Sequence, residues 1–388
     1  MNLSIESAPL APSRPVVPPA ADPASDLAPA GALTRGAPQR VNHLFRMLTR
    51  AGMVHPLHHA VLQYRVGADA LAAPVAAMPV ASGVRLVPAA SGMSSVPAAA
   101  TDTEHILQHI QALPPLPQAA MQALAALRDD STTPEHCAEQ IGRDMALAAR
   151  TLRLANSAFY GLAGRVSGLR DAVSMLGRRT LCSAVTALVV SEQLQARRCP
   201  GFDFSDFWRH AAGTAIAARC IARALRLDEE TAFTAGLLHD IAHLALAAHF
   251  PEQLAPLLQQ AVALDKPVYQ VEEECMAHDH AELGARLIEQ WRLPATVAAA
   301  VRHHHRPPLP SSERGGASLR PEPPDLADVV HAADAIAHAL DLSGAEDESV
   351  PAIDLASWGR LNLKRTALPG IFAETEEGVV ALCSALGI

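Results

Sequence analysis

The sequence predicts an all-α, multi-helix domain preceded by an unstructured Ala/Pro-rich region, and three observations predict it. From His105 onward apolar residues, mostly Ala and Leu, recur at helical intervals, while the β-branched and aromatic runs that would start strands are scarce. The helices are punctuated: Thr133-Pro134-Glu135 sets a capping hydroxyl before a proline at the first helical position, and Gly177 stops the segment Asp171 to Leu176. Before residue 100, prolines gather in runs such as Ala8-Pro9-Leu10-Ala11-Pro12 and Val16-Val17-Pro18-Pro19, where neither the helical nor the strand period can be followed.

At 388 residues the chain exceeds one domain of ordinary size, and composition places the division. Residues 1–104 are expected to be disordered, because an Ala/Pro/Ser/Gly segment buries too little apolar surface to offset its ordering entropy. Inside it, Val41 to Tyr64 places Leu44, Leu48, Leu57 and Val61 at roughly helical intervals, as a transient helix or a docking element would. Residues 105–388 form the helical body, with a first subdomain over 105–200 and a second over 201–388. Helices are expected near 117–128, 134–142, 145–155, 169–176, 178–195, 204–226, 230–248, 251–264, 279–292, 295–305, 326–341 and 374–386. The segment 306–325, dense in Pro, Ser and Gly, is a flexible loop between two of them.

The net charge of −9 and the lack of a Lys/Arg cluster interleaved with aromatics argue against direct nucleic-acid binding. Six cysteines, scattered singly without a CxxC pair, suit reduced thiols and a cytoplasmic setting. Met1 to Leu10 contains Glu6 and no basic start, and no long uncharged apolar run follows, so neither a signal peptide nor a membrane span is expected.

The chemistry lies in spaced His and Asp residues. Imidazole and carboxylate are the usual donors for zinc, iron or manganese, and a helical metal site needs them recurring at helical spacing. Asp206 and His210 stand four apart and share a helix face. His239-Asp240 interrupts the apolar run Gly236-Leu237-Leu238-His239-Asp240-Ile241-Ala242, where an unpaired carboxylate would be costly. The other His-Asp pair, His278-Asp279, reads as a helix start, with Asp279 as cap and Glu282 three residues on. That cap puts His280 in a first helical turn. His303-His304-His305 end a helix ahead of Pro307, where the helix dipole alone would favour them, and Asp334 lies among alanines.

Taken in order, His210, His239-Asp240, His280, His304-His305 and Asp334 resemble the HD superfamily of metal-dependent phosphohydrolases. The surroundings are similar to one branch, the HDOD domain (HD-related output domain), over about residues 105–388. The resemblance is carried by Leu113-Pro114-Pro115-Leu116-Pro117, Leu152-Arg153-Leu154-Ala155-Asn156-Ser157-Ala158-Phe159-Tyr160, Ala172-Val173-Ser174-Met175-Leu176-Gly177, Phe207-Trp208-Arg209-His210 and Trp291-Arg292-Leu293-Pro294. It implies an HD-like second subdomain and a divalent metal held by His210, His239, Asp240 and Asp334, with a second at His280, His304 and His305; Asp240 bridges them and Asp206 is a further ligand candidate.

Two uses follow from the resemblance. In a phosphohydrolase acting on a nucleotide or cyclic dinucleotide, Asp240 would be catalytic, two ions would polarise a phosphoryl oxygen, and Arg302, Arg306 and Arg209 are the cations nearest in sequence for an anionic ligand. In a bacterial signal-transduction output module, the same residues would bind metal while the domain answers to a signalling protein or a nucleotide second messenger. The cyclic-di-GMP phosphodiesterase relatives follow the paired histidines with an acidic residue and a Gly-Tyr-Pro element. Here Arg306-Pro307-Pro308 follows and no Gly-Tyr-Pro occurs, which favours signalling. Asn156, Ser157 and Tyr160 read as capping and turn groups, and a metal-free scaffold with buried histidines is a third alternative.

Overall fold

The computed structural model describes residues 38–50, 52, 55–66, 106, 108, 110, 113–162, 164–194, 198–276, 278–308 and 323–388, and every regular element among them is helical. Three helices precede the expected body: α1 (Pro38–Leu44), α2 (Arg46–Arg50) and α3 (Pro56–Val66). They are not unstructured, because Val41, Leu44, Phe45, Leu48, Leu57 and Val61 form one buried face. The remainder of the 1–104 tail lies outside the described residues, as does 309–322 of the loop expected at 306–325.

The first part of the body holds α4 (Gln118–Arg128), α5 (Pro134–Gly142), α6 (Met145–Ala155), a 3-10 turn (Ala158–Tyr160), α7 (Leu169–Leu176) and α8 (Arg178–Gln193). The two predicted boundary signals are present. Thr133 accepts from the backbone N–H of His136 with Pro134 at the first position, and Gly177, at φ 82°, ends α7 and starts α8. Asn156 ends α6 and clamps the next turn, its amide donating to Val166 O (2.8 Å) and its carbonyl accepting from Val166 N (3.0 Å).

The second part holds α9 (Phe204–Leu225), α10 (Glu229–Leu238), α11 (Ile241–His249), α12 (Pro251–Leu264), α13 (Val268–Cys275), α14 (His280–Gln290), α15 (Ala295–Arg302), α16 (Leu326–Ala339), α17 (Leu355–Leu361) and α18 (Leu368–Leu386). The long α9 is the hub and packs on α10, α16 and α18, while α1 and α3 lie against α16. Its middle is buried all round and consists largely of small residues, Ala211, Ala212, Gly213, Thr214, Ala215, Ala217 and Ala218, which let neighbouring backbones approach closely. The approach is tightest at Gly236 of α10: a Cβ there would stand 2.8 Å from Thr214 O and 2.9 Å from Ala215 Cα. Glu229–His249 has the length and mean hydropathy (1.2) of a membrane span, but 83% of that window is buried inside the fold, so core packing accounts for its apolar character.

Several expected boundaries are corrected. The helix expected at 230–248 breaks at His239-Asp240, where Asp240 adopts φ −104° and ψ 18°. His239 Nδ1 takes Gly236 O at 2.8 Å, and a side-chain donor on a helical carbonyl competes with the backbone ladder. The helix expected to reach 305 stops at Arg302, leaving His303, His304 and His305 in a turn. Two short helices, α13 and α17, escaped the periodicity, and α18 starts before the expected residue 374.

Because Gly236 meets backbone rather than a flexible side chain, Gly236→Ala must push α9 and α10 apart. Chemical denaturation should show a loss of about 1–3 kcal/mol, the usual cost of overpacking a filled core. A wild-type midpoint would mean that the close crossing is not needed.

Candidate metal centre

The helices deliver their polar side chains to one region. His210 comes from α9, His239 and Asp240 from the break between α10 and α11, His280 from the first position of α14, His304 and His305 from the turn after α15, and Asp334 from the middle of α16. Their ligand atoms fall into adjoining groups whose members lie within 4.8 Å of one another: Asp240 with His280, His304 and His305, and Asp240 with His210 and His239. A further group joins His210, Asp334 and His338. Asp240 is common to the first two.

The contacts are close. Asp334 Oδ1 lies 3.1 Å from His210 Nε2, 3.5 Å from His239 Nε2 and 3.2 Å from His338 Nε2. Asp240 Oδ1 lies 3.1 Å from His280 Nε2 and 3.4 Å from His304 Nε2, and its Oδ2 is 3.4 Å from His239 Nε2. His239, His280, His304 and Asp334 are all at most 2% exposed.

The outward bonds of the histidines fix which nitrogen faces inward. A backbone carbonyl only accepts, so His239 Nδ1 carries the proton it gives to Gly236 O, and His304 Nδ1 the one it gives to Val301 O (2.7 Å). Their Nε2 lone pairs are therefore free to face the cluster. His280 does the same through a carboxylate, its Nδ1 donating to Glu272 Oε2 at 2.6 Å, and His338 through Glu348 Oε1 at 2.5 Å. Glu272, fully buried on α13, also accepts from His243 Nε2 (2.8 Å).

Lone pairs facing lone pairs at this depth are repulsive unless a cation lies among them. The pairs His210 Nε2 to His239 Nε2 (3.1 Å) and His280 Nε2 to His305 Nε2 (2.8 Å) place acceptor-capable nitrogens against each other. Buried Asp240 Oδ1 and His304 Nε2 have no hydrogen-bond partner despite their proximity. Imidazole and carboxylate donors converging in this way, with their far sides held by carbonyls and carboxylates, are the donor set of a divalent transition-metal site. The residues present fit the ion.

Protons can occupy the same place. Burial opposes the His239 imidazolium, but the carboxylates of Asp240 and Asp334 outweigh it and raise its pKa to about 10. Burial likewise works against the Asp240 and Asp334 carboxylates, yet His239 and His280 for the first, and His338 and His210 for the second, hold both well below the usual range. His305 goes the other way: burial, His304 and His280 keep it neutral.

The cluster floors an open cleft of about 640 Å³. Arg46 and Lys266 line it, together with Phe202, Phe207 and Leu258.

Of the eight expected ligands, seven converge. Asp206 lines the cleft but belongs to none of the donor groups; one turn before His210, it is taken by Arg209. The arginines expected to meet an anionic ligand are also engaged elsewhere. Arg302 pairs with Glu282 (2.8 Å) and Glu289 (3.0 Å), Arg306 with Glu273, and neither lines the cleft. Asp279 caps α14 through Glu282 N (2.9 Å), as read, but Glu282 spends its own side chain on Arg286 and Arg302 rather than on a reciprocal cap. His243, Glu272, His338 and Glu348 were not foreseen. His243 and His338 follow Asp240 and Asp334 by three and four residues, a same-face spacing that could have found them.

A family model for the HDOD domain matches residues 113–307. An uncharacterized protein of Treponema pallidum (strain Nichols) is 26% identical over 205 residues, which is 52% of this chain and 39% of the relative, so the chain spans about two fifths of that protein. Among solved structures, a candidate phosphohydrolase from Shewanella amazonensis SB2B is 28% identical, with a TM-score of 0.55 over 72% of this chain and 99% of its own. A candidate signal transduction protein from Marinobacter aquaeolei VT8 is 23% identical, with a TM-score of 0.60 over 75% of this chain and 66% of its own. An HDOD domain protein of unknown function from Geobacter sulfurreducens is 21% identical, with a TM-score of 0.51 over 73% and 95%. These two share the fold. With half of the chain matched by the family model, and the His and Asp residues of its sequence motifs gathered at one buried centre, the chain belongs to the HDOD domain family.

Proposed function

We propose that the chain is a signal-transduction output module whose HD-type site binds divalent metal, and whose cleft answers to a nucleotide signal or a protein partner. The observation that carries the reading is a full set of inward-facing donors under a cleft whose lining cations are already committed: Arg46 to Asp265 (3.0 Å) and Lys266 to Glu274 (2.7 Å). The cleft volume is that of a small-molecule site. His210, His239 and Asp240 would hold one ion, with Asp334 beside them, and Asp240, His280, His304 and His305 a second. Iron, zinc and manganese all suit nitrogen and carboxylate donors.

A second reading, a metal-dependent phosphohydrolase acting on a nucleotide phosphoester, is favoured by one feature, the sharing of Asp240 between two donor groups, and by the likeness to the Shewanella candidate phosphohydrolase. A bound divalent ion would supply Lewis-acid polarisation of a phosphoryl oxygen and activation of water near neutral pH. The chain's own part would be to orient the donors: Glu272 and Glu348 fix His280 and His338, and the carbonyls of Gly236 and Val301 fix His239 and His304. Phe202, Phe207 and Leu258 would give the cleft lining its apolar part.

Elemental analysis of the purified chain should find iron, zinc or manganese near stoichiometry, and Asp240→Ala should lose most of it. Less than a tenth of an equivalent in the wild type, after refolding with each metal, would remove both readings. Turnover of cyclic dinucleotides or generic phosphodiesters by the loaded chain, abolished in Asp240→Ala, would replace the first reading by the second.

Proton linkage gives an independent check. The raised pKa of His239 stabilises the metal-free fold fully below its unfolded value, about 6.5, and that stability is lost as pH rises through about 10. A chelated sample should therefore show a falling melting temperature across this window. The metal-loaded chain should hold its midpoint, since the ion takes the protons' place; parallel curves would show that the cluster does not hold a cation.

A further inference from the structure

The segment before the family match does more than cover the core. Helix α16 ends at Ala339 and runs into an acidic loop carrying Asp341, Glu346, Asp347 and Glu348, which adds negative charge to the negative end of a helix dipole. The loop has two residues in the left-handed region, Asp341 at φ 57° and Gly344 at φ 76°, and its successive carbonyls need donors from elsewhere.

Those donors come from α1 and α2. Arg40 grips Asp341 bidentately (2.8 and 2.6 Å) and also donates to Ala345 O (2.5 Å) and Glu346 O (3.0 Å). Arg46, six residues later, donates to Asp347 O (3.0 Å) and Glu348 O (2.7 Å). Two guanidinium groups thus collect the carbonyls of four consecutive residues. A backbone bond from Val350 N to Leu44 O (2.8 Å) closes the seam, with both residues at most 1% exposed. The loop in turn carries Glu348, whose Oε1 holds His338 Nδ1 and whose Oε2 accepts from Ser343. His338 then points its Nε2 at Asp334 and lies against the His210 ring, centroids 4.3 Å apart. Arg46 and Arg50 also both reach Asp265 at the end of α12, and Asp265 lines the cleft along with Asp347 and Glu348.

We propose that residues 38–50 are a positioning arm for the metal centre: Arg40 and Arg46 shape the 341–350 loop so that Glu348 sets His338 on Asp334, and Arg46 ties that loop to Asp265, another residue of the cleft lining. The inference rests on reading the cluster as a metal site. Arg40 and Arg46 touch no donor atom of the cluster and act only through Glu348 and His338. Release of the arm would loosen the His210, Asp334 and His338 side of the centre and open the cleft in one movement, which makes this segment the natural input of an output module.

The test uses the full chain and two readouts. In the metal-free state, the imidazole N–H proton that His338 shares with Glu348 should appear as a far-downfield proton resonance, assigned by its loss in His338→Gln. In equilibrium dialysis against zinc or manganese, Arg40→Ala/Arg46→Ala should bind about 10-fold or more weakly, the lower end of the effect of removing an outer-shell partner. It should also lose the His338 resonance, while Tyr64→Phe, which cuts only the α3 bond to Glu376, should change neither. If the double variant does not fold, Arg46→Gln, which leaves the Arg40 clamp in place, must still weaken binding and broaden the resonance. A folded variant with wild-type affinity and an intact resonance would overturn the arm and leave the metal site standing. A wild-type chain that takes up no metal would remove the site instead, and loss or retention of the resonance would still decide whether the arm sets His338.

Discussion

The fold is organised around a problem of buried acceptors. Asp240 and Asp334, with the inward nitrogens of six histidines, bring negative or lone-pair-bearing atoms to one place with almost no donors facing them. An uncompensated charge in such surroundings costs several kcal/mol, so the cluster is stable only when protons or a cation occupy its middle. The chain invests in that arrangement through the outer row: each imidazole that can be anchored from behind is anchored by a group that can only accept. Gly236 O, Val301 O, Glu272 and Glu348 do this for His239, His304, His280 and His338. The arrangement fixes tautomers without spending any inward lone pair.

This requirement explains features that look unrelated to it. Gly236 serves twice, since its missing side chain lets α9 approach and its carbonyl holds His239. The break at His239-Asp240 frees two adjacent residues to point into the same cavity, which successive positions on a continuous helix cannot do, being about 100° apart. The turn after α15 achieves the same for His304 and His305. It is braced from behind by His331, whose Nδ1 donates to His304 O (2.6 Å) while its Nε2 accepts from Asp354 N (2.9 Å). A single buried imidazole thus couples the donor turn to the start of α17.

What was legible in the sequence follows from the same physics. Long amphipathic or Ala-rich helices are visible by period, and the inner donors are visible because a carboxylate or imidazole inside an apolar run has to be compensated. The outer row leaves a fainter trace. Glu272 stands in Glu272-Glu273-Glu274, whose other two members are exposed and ordinary, so only the position of α13 against the cluster singles it out. Glu348 sits in an acidic loop that composition reads as solvated surface. The arginines near the paired histidines looked available in sequence, yet Arg302 and Arg306 are held by carboxylates brought from α13 and α14. Charge pairing across helices is a tertiary fact that spacing along one helix does not contain.

The N-terminal segment shows why composition misled. Its proline and alanine content describes the average of a hundred residues, whereas folding there depends on six apolar side chains and two arginines in less than thirty residues. Val41, Leu44, Phe45, Leu48, Leu57 and Val61 supply the buried face, and Arg40 and Arg46 find an acidic loop at a helix end. Neither half suffices alone: the apolar face is too short to stabilise isolated helices in water, and surface ion pairs contribute little singly. Together, on carbonyls that Arg40 and Arg46 supply with donors, they become cooperative, and the segment's order depends on the loop as much as the loop's order depends on it. That reciprocity is what links the arm to the donors at His338 and Asp334, since any change that favours one ordered partner favours the other.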